Sequence, residues 1–297
     1  MKLFENNYRS RFKLTSDQVF YWVYGMDTEE SKRALIALLN VVLDRKDDPI
    51  IEVRLLNPVQ KGFVIGDKPT VMDIKCETSS GELIDVEMQN GRLPFYPERS
   101  LFYGGKMVNS ALEEGEDYDK MKKSIVISFI DGVIFPQVQC LHTEFLMQEK
   151  QAHFTLTDKL SIHFLELGKI DGKKDPADMT PLECLCAYIR FAGDGTREDY
   201  VNKLLETGEE AVNMSEYVFK KLTEDDIARE MLERQIKAEH DNATWLKYAK
   251  EDGLTQGRDE GYDAAMIEIA QKMKRAGKPL EEIKAFTGLE AETIEKL

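Results

Sequence analysis

Apolar and polar residues alternate in two short runs, VMDIKC at 71–76 and IDVEMQ at 84–89, and this period of two predicts a pair of β-strands. The stretch TSSGE between them is rich in turn formers and predicts a tight hairpin. Upstream the period lengthens to that of a helix. Val19, Phe20, Val23 and Tyr24 form one stripe that starts at Asp17 behind a Ser16 or Thr15 cap and stops at Gly25. Thr28 caps a second predicted helix, with Ala34, Leu35, Leu38, Leu39, Val42 and Leu43 at helical spacing. The run IIEVRLLNP after Pro49 reads as a further strand.

Beyond the hairpin, Pro97 introduces a predicted helix over 98–114, with Leu101, Phe102, Val108 and Leu112 as its apolar side and Gly115 as its stop. SIVISFIDGVIF at 124–135 is continuously apolar and β-branched, the pattern of a strand covered on both faces. Segments 141–148 and 159–167 extend the sheet. From Pro181 the pattern is helical, over 181–191, 196–206, 208–222 and a long charged stretch at 223–251. This order predicts an α/β core on a mixed central sheet flanked by helices, followed by an all-helical C-terminal extension.

The tail has its own period. Gly253, Gly257, Gly261 and Ala265 recur every fourth residue, which lines up small side chains on one helix face and favours close helix packing. Segments MIEIAQKMKRAG, LEEIKAFTG and AETIEKL then read as short helices, an acidic arrangement suited to partner contacts more than to a DNA groove.

Composition narrows the function classes. The chain of 297 residues carries a net charge of −15, which disfavours coating of nucleic acid by bulk charge. Residues 1–135 are the least acidic part, with 18 Lys+Arg against 22 Asp+Glu, and they open on Lys2, Arg9, Arg11 and Lys13. A local basic track is therefore compatible with the acidic total. No apolar run approaches the roughly 20 residues that span a bilayer, and the N-terminus lacks the apolar stretch of an export signal. Cys76, Cys140, Cys184 and Cys186 form no CxxC pair, so free thiols in a reducing cytoplasm are expected and a zinc site is not. His142, His153, His163 and His240 show no base–nucleophile pairing and are assigned to structure.

The chemistry concentrates on the hairpin. Asp73 and Lys75 share one strand face, as do Asp85, Glu87 and Gln89 on the other strand. If the strands pair, several carboxylates converge, and a divalent cation is the usual reason for a protein to tolerate that. Asp85 at the strand start reads as structural or solvent-facing. Lys75 either brings a positive charge to Asp73 or is an ordinary solvated strand lysine. Arg99 and Tyr103 lie one helical turn apart, suited to a DNA phosphate or to bracing Glu87. Asp17 is either part of the acidic group or a helix N-terminal acid stabilised by the dipole.

Asp17–Phe20, Asp73, the IDVEMQ run, Arg99–Tyr103 and the glycine-spaced tail, taken in order, resemble the PD-(D/E)XK nuclease family transposases, the recombination-promoting nucleases. That resemblance implies a restriction-endonuclease-like core at about 8–170, a helical extension at 178–252 and a tail at 253–297 for oligomerisation or partner binding. It implies a metal-dependent DNA endonuclease of the cytoplasm, associated with recombination, mobile elements or defence, leaving 5′-phosphate and 3′-hydroxyl ends. Asp73, Glu87 and the main-chain carbonyl of Met88 would hold Mg²⁺, with Mn²⁺ or Ca²⁺ as substitutes. Asp17, Lys75 and Gln89 would complete the catalytic set, and Arg99, Tyr103, Arg11 and Lys13 would contact DNA. A dimer through the C-terminal helices would be the partner state. One departure from the superfamily is Gln89, which stands where a lysine is usual and offers a dipole instead of a charge. Opposed to the endonuclease is a catalytically weak interaction protein that keeps the nuclease core and assembles through its tail.

Overall fold

The computed structural model describes residues 12–57, 59–60, 70–71, 73–90, 94–112 and 115–297. The chain divides into two compact units, one up to Leu232 and one from Glu233 onward. The first is built on a six-stranded sheet in the order β1-β4-β5-β6-β8-β7. Its strands are β1 (Val53–Leu55), β4 (Ile74–Thr78), β5 (Leu83–Asn90), β6 (Ser124–Asp131), β7 (His142–Gln148) and β8 (Thr155–Glu166). The short strands β2 (Val59–Gln60) and β3 (Thr70–Val71) pair separately. β5, β6 and β8 run parallel; β1, β4 and β7 pair antiparallel with their neighbours.

The apolar run of β6 explains its central place. A strand flanked by two parallel neighbours and covered on both faces has no polar side to offer. On one face stands α1 (Asp17–Tyr24), whose Phe20 ring meets Phe129 at 5.6 Å between centroids. α2 (Glu29–Val42) follows; Thr28 caps it, its hydroxyl accepting from the Ser31 amide at 3.2 Å. The later helices α4 (Pro181–Phe191), α5 (Glu198–Glu206) and α6 (Glu210–Glu224) belong to this first unit, with α4 and α6 packing on α2. A bond from the Tyr24 hydroxyl to Ser215 Oγ at 2.7 Å joins α1 to α6 inside the core.

The other sheet face is covered by α3 (Tyr96–Ser110), and here the predicted apolar side is corrected. Leu101 and Phe102 are 57% and 56% exposed; Tyr96, Ser100, Gly104 and Met107 face inward instead. The reason is close approach. A Cβ on Gly104 would stand 2.8 Å from Leu160 Cδ1, so the helix seats its small residues on β6 and β8 and turns its larger apolar ones outward. Tyr96 and Met107 pack with Val126, Ile130, Ile162 and Phe164 beneath it.

In the second unit the end of α7 (Asp226–Arg275) packs with α8 (Leu280–Thr287) and α9 (Ala291–Lys296) around Ala270, Ile283 and Ile294. α7 runs as one helix of 50 residues through Gly253, Gly257 and Gly261. Among the described residues, nothing lies within 4 Å of a Cβ built on these glycines.

A buried carboxylate fastens the loop after β6. Glu166 is fully buried and accepts from the amides of Ile134 and Phe135 at 2.6 and 2.8 Å, with Lys169 as its charge partner. Removing one member of a buried pair leaves the other uncompensated. Glu166→Ala is therefore expected to cost about 3 kcal/mol, read as a lowered urea midpoint with unchanged slope.

Candidate active site

The hairpin forms as the alternation predicts, with Thr78–Gly81 as its turn and Gly81 at φ +85°. β4 begins at Ile74, one residue after Asp73, while β5 runs on to Asn90. The register pairs Ile74 with Val86 and Lys75 with Asp85, so one step further Asp73 stands opposite Glu87. Asp73, Lys75, Asp85 and Glu87 thus make a square on one sheet face, the face that α3 covers.

The two carboxylates are clasped to each other's backbone. Glu87 Oε1 accepts from the Asp73 amide at 3.2 Å, and Asp73 Oδ2 accepts from the Met88 amide at 3.1 Å. These bonds replace the ladder where β4 has ended. From the far side Arg99 Nη2 donates to Glu87 Oε2 at 3.3 Å. Arg99 Nε donates to the Tyr103 hydroxyl at 2.8 Å, and the Arg99 guanidinium lies 5.0 Å and 5.8 Å from the ring centres of Tyr103 and Tyr96. Asp17 is near enough for its charge to act on Glu87.

Burial dominates the electrostatics. Burial first and the Asp73 charge second push the Glu87 carboxyl up to about 8, against the opposing Arg99. Asp73 is raised too, chiefly by burial, against the Met88 amide and Arg99. Asp85 goes well above its ordinary value through burial first, then Glu87 and Asp73. Lys75 is pushed down by burial and partly restored by Asp85. A site that resists carrying its own negative charge gains most from a bound cation.

Residues 14–249 match the family described as PD-(D/E)XK nuclease family transposase. The chain belongs to this family. Its mixed sheet with flanking helices and helical C-terminal part is the restriction-endonuclease-like architecture expected for it. No curated protein and no solved structure matches the chain.

Membership makes the placement of each candidate informative. Asp73, Glu87, Arg99 and Tyr103 come together, and Asp17 lies within electrostatic reach. Met88 turns its side chain into the core, yet its amide points at Asp73. In an extended strand the amide and carbonyl of one residue point to the same side, so the Met88 carbonyl faces the side of Asp73. Gln89 is not drawn to the carboxylates; its Nε2 donates to the Asn90 carbonyl at 2.9 Å. Lys13 is exposed near Asp194, whose carboxyl is held low mainly by Thr196 and in smaller part by Lys13. Arg11 lies outside the described residues.

Burial decides between the alternatives at two positions. Asp85 does not face solvent: it is fully buried, and neither oxygen has a hydrogen-bond partner. Lys75 is not a solvated strand lysine, being only 9% exposed opposite Asp85. A hairpin near the sheet edge suggested solvent, but α3 closes over this face.

Two of the histidines assigned to structure meet in the fold. His142 Nε2 and His163 Nδ1 meet at 3.0 Å, and His163 Nε2 meets Ser161 Oγ at 3.0 Å. Burial drives His163 down to about 3, so it stays neutral and hydrogen-bonded. These residues line a cleft of about 1170 Å³. Register places Glu87 beside Ser128 and Phe164, so His163 points to the opposite sheet face. Tyr96 is the one site neighbour that sequence reasoning missed; its spacing of three from Arg99 and seven from Tyr103 was the available signal.

Among the described residues, no group of three or more His, Cys, Asp and Glu is arranged to hold a metal. The fit therefore rests on two carboxylates and a main-chain carbonyl, an all-oxygen set that suits a hard divalent ion.

The sign of the pH response follows. Glu87 holds a proton in the fold between its ordinary 4.5 and about 8, where the unfolded chain has lost it. Its contribution to stability is full below pH 4.5 and is lost as pH rises toward 8. Metal-free protein is expected to melt at lower temperature at pH 8 than at pH 5, and Glu87→Gln should flatten that difference in a calorimetric pH series.

Proposed function

We propose that this chain is a metal-dependent DNA endonuclease whose centre is Asp73 and Glu87. The observation that carries the reading is the clasp between these carboxylates, which brings them together beside the Met88 main chain. Nuclease family membership supports the DNA substrate class. Mg²⁺ would be held by Asp73, Glu87 and the Met88 carbonyl, and would supply a Lewis acid that promotes deprotonation of water and offsets phosphate charge.

The chain's own residues have separable tasks. The Met88 and Asp73 amides fix the orientation of the two carboxylates before any ligand arrives. Arg99 holds Glu87 from the side away from Asp73, and Tyr103 fixes the guanidinium in turn. Both aromatic rings around Arg99 limit its movement and shed water from its faces. Lys75 is the nearest lysine in register to the acidic pair and takes the charge role that Gln89 leaves open. Arg99 and Lys13 are candidates for contact with DNA phosphates. A dimer through the C-terminal helices would set two centres for cuts on both strands; the open glycine face of α7 is compatible with it.

No described helix is long and apolar enough to cross a membrane, in keeping with a DNA-directed role.

A second reading has its own observation. Gln89 bonds to Asn90 instead of facing the carboxylates, as expected if the fold binds DNA or partners without cutting. Supercoiled plasmid with Mg²⁺ or Mn²⁺ separates the two. Wild type is expected to nick it. Asp73→Ala and Glu87→Ala should each lose at least about 100-fold, and Arg99→Ala roughly 10- to 100-fold as an orienting partner. Cleavage that survives both carboxylate substitutions would remove the site assignment, and absence of wild-type cleavage would favour the second reading.

A further inference from the structure

α3 carries a pattern that bracing of Glu87 does not require. Arg99, Phe102 and Lys106 recur at three- and four-residue steps and rise from one stripe of the helix. Phe95, at the N-cap one turn before Arg99, extends it; its carbonyl accepts the Arg99 amide at 3.0 Å. The stripe thus alternates aromatic, cation, aromatic at the surface, and Lys106 that follows is buried. Phe95 is 77% exposed and Phe102 is 56% exposed, while Lys106 Nζ lies 4.9 Å from the Phe102 ring centre. Arg99 in the middle reaches Glu87, so the two exposed rings flank the arginine that touches the candidate centre.

Phe95 is also conformationally expensive. Its backbone sits in the left-handed region, at φ 62° and ψ 27°, where an aromatic side chain is strained. As an N-cap it offers no side-chain acceptor to the helix's free amides. Neither burial nor capping accounts for a phenylalanine here. Asparagine, aspartate or glycine would satisfy the backbone better, so the ring itself is what the position supplies.

Flat rings spaced by cations are the surface that nucleic-acid bases and phosphates recognise together. Bases stack on the rings by their faces, and the cations follow the backbone. Fully paired duplex presents base edges, whereas base faces become available only at gaps, bubbles, ends or single strands.

We infer that Phe95 and Phe102 form a stacking ridge that selects DNA with unpaired bases next to the scissile phosphate. The inference rests on the nuclease reading and names the substrate class of that same site. The test uses the full chain with Ca²⁺ and two labelled oligonucleotides, a fully paired duplex and the same duplex with a short unpaired bubble. Wild type is expected to bind the bubble at least about tenfold more tightly, a gain in the range of stacking one base. Phe95→Gly combined with Phe102→Ala should bring the ratio below about threefold. Glycine relieves the positive φ, so the melting temperature of this variant should hold or rise, unlike that of a variant missing a structural residue.

Mg²⁺-dependent cleavage of both oligonucleotides is measured alongside. Cleavage without a bubble preference, or with a preference that the double variant keeps, overturns the inference and leaves the nuclease reading intact. A ring-dependent bubble preference with no cleavage overturns the nuclease reading and supports the stacking ridge. If the double variant abolishes self-association in sedimentation while the DNA ratio stays put, the ridge is a contact between copies and the inference fails.

Discussion

Two carboxylates held face to face across the end of a strand pair impose their demands on the rest of the first unit. Asp73 and Glu87 repel each other and are poorly solvated, yet each is fixed by the amide next to the other. The arrangement needs β4 to stop early while β5 continues. Arg99 on α3 adds a cation above the pair. Arg99 reaches Glu87 because the helix lies close on the sheet, and it lies close because Gly104 has no side chain to hold it off Leu160. The apolar run of β6 and the small residues of α3 therefore shape the proposed centre as directly as the acids do.

This site departs from the pairing rules that govern the surrounding core. Asp85 is buried beside the pair with no hydrogen-bond partner, and Lys75 is buried opposite it. Buried polar groups without partners are destabilising, and they cluster where function requires them. The stability cost is carried by the dense packing around Phe20, Phe129 and Tyr96. The cation-ready character of the centre is the same fact seen electrostatically: burial raises the carboxyls, and a bound positive charge would reverse the shift.

Cavity size alone would have pointed elsewhere. The cleft lined by His142, Ser161 and His163 is about 1170 Å³, against about 130 Å³ for the cleft lined by Asp73 and Lys75. The larger one holds a neutral, mutually bonded histidine pair on the opposite sheet face. The smaller one borders the acids. A polymer substrate lies along a surface, and a shallow centre flanked by an exposed helix ridge suits it better than a deep pocket does.

Much of this was legible in the chain. The period of two at 71–89, the uniform apolar run at 124–131 and the helical stripes of α1 and α2 follow from local rules, since each depends only on which residues recur at which spacing. The family match and the ordered placement of Asp73, Glu87, Arg99 and Tyr103 agree with them. The side of α3 that faces inward was not legible, because hydrophobicity favoured Leu101 and Phe102 while the geometry of approach favoured Gly104 and Ser100. The burial of Asp85 and Lys75 and the meeting of His142 with His163 were equally hidden. Sequence by itself determined most of the elements, their order and the chemical type of the acidic residues, while the segment MIEIAQKMKRAG, read as a separate helix, is the end of the 50-residue α7. Only the tertiary structure decided which carboxylates lose their water and which rings keep theirs, because solvation depends on what packs above a residue and not on its neighbours along the chain.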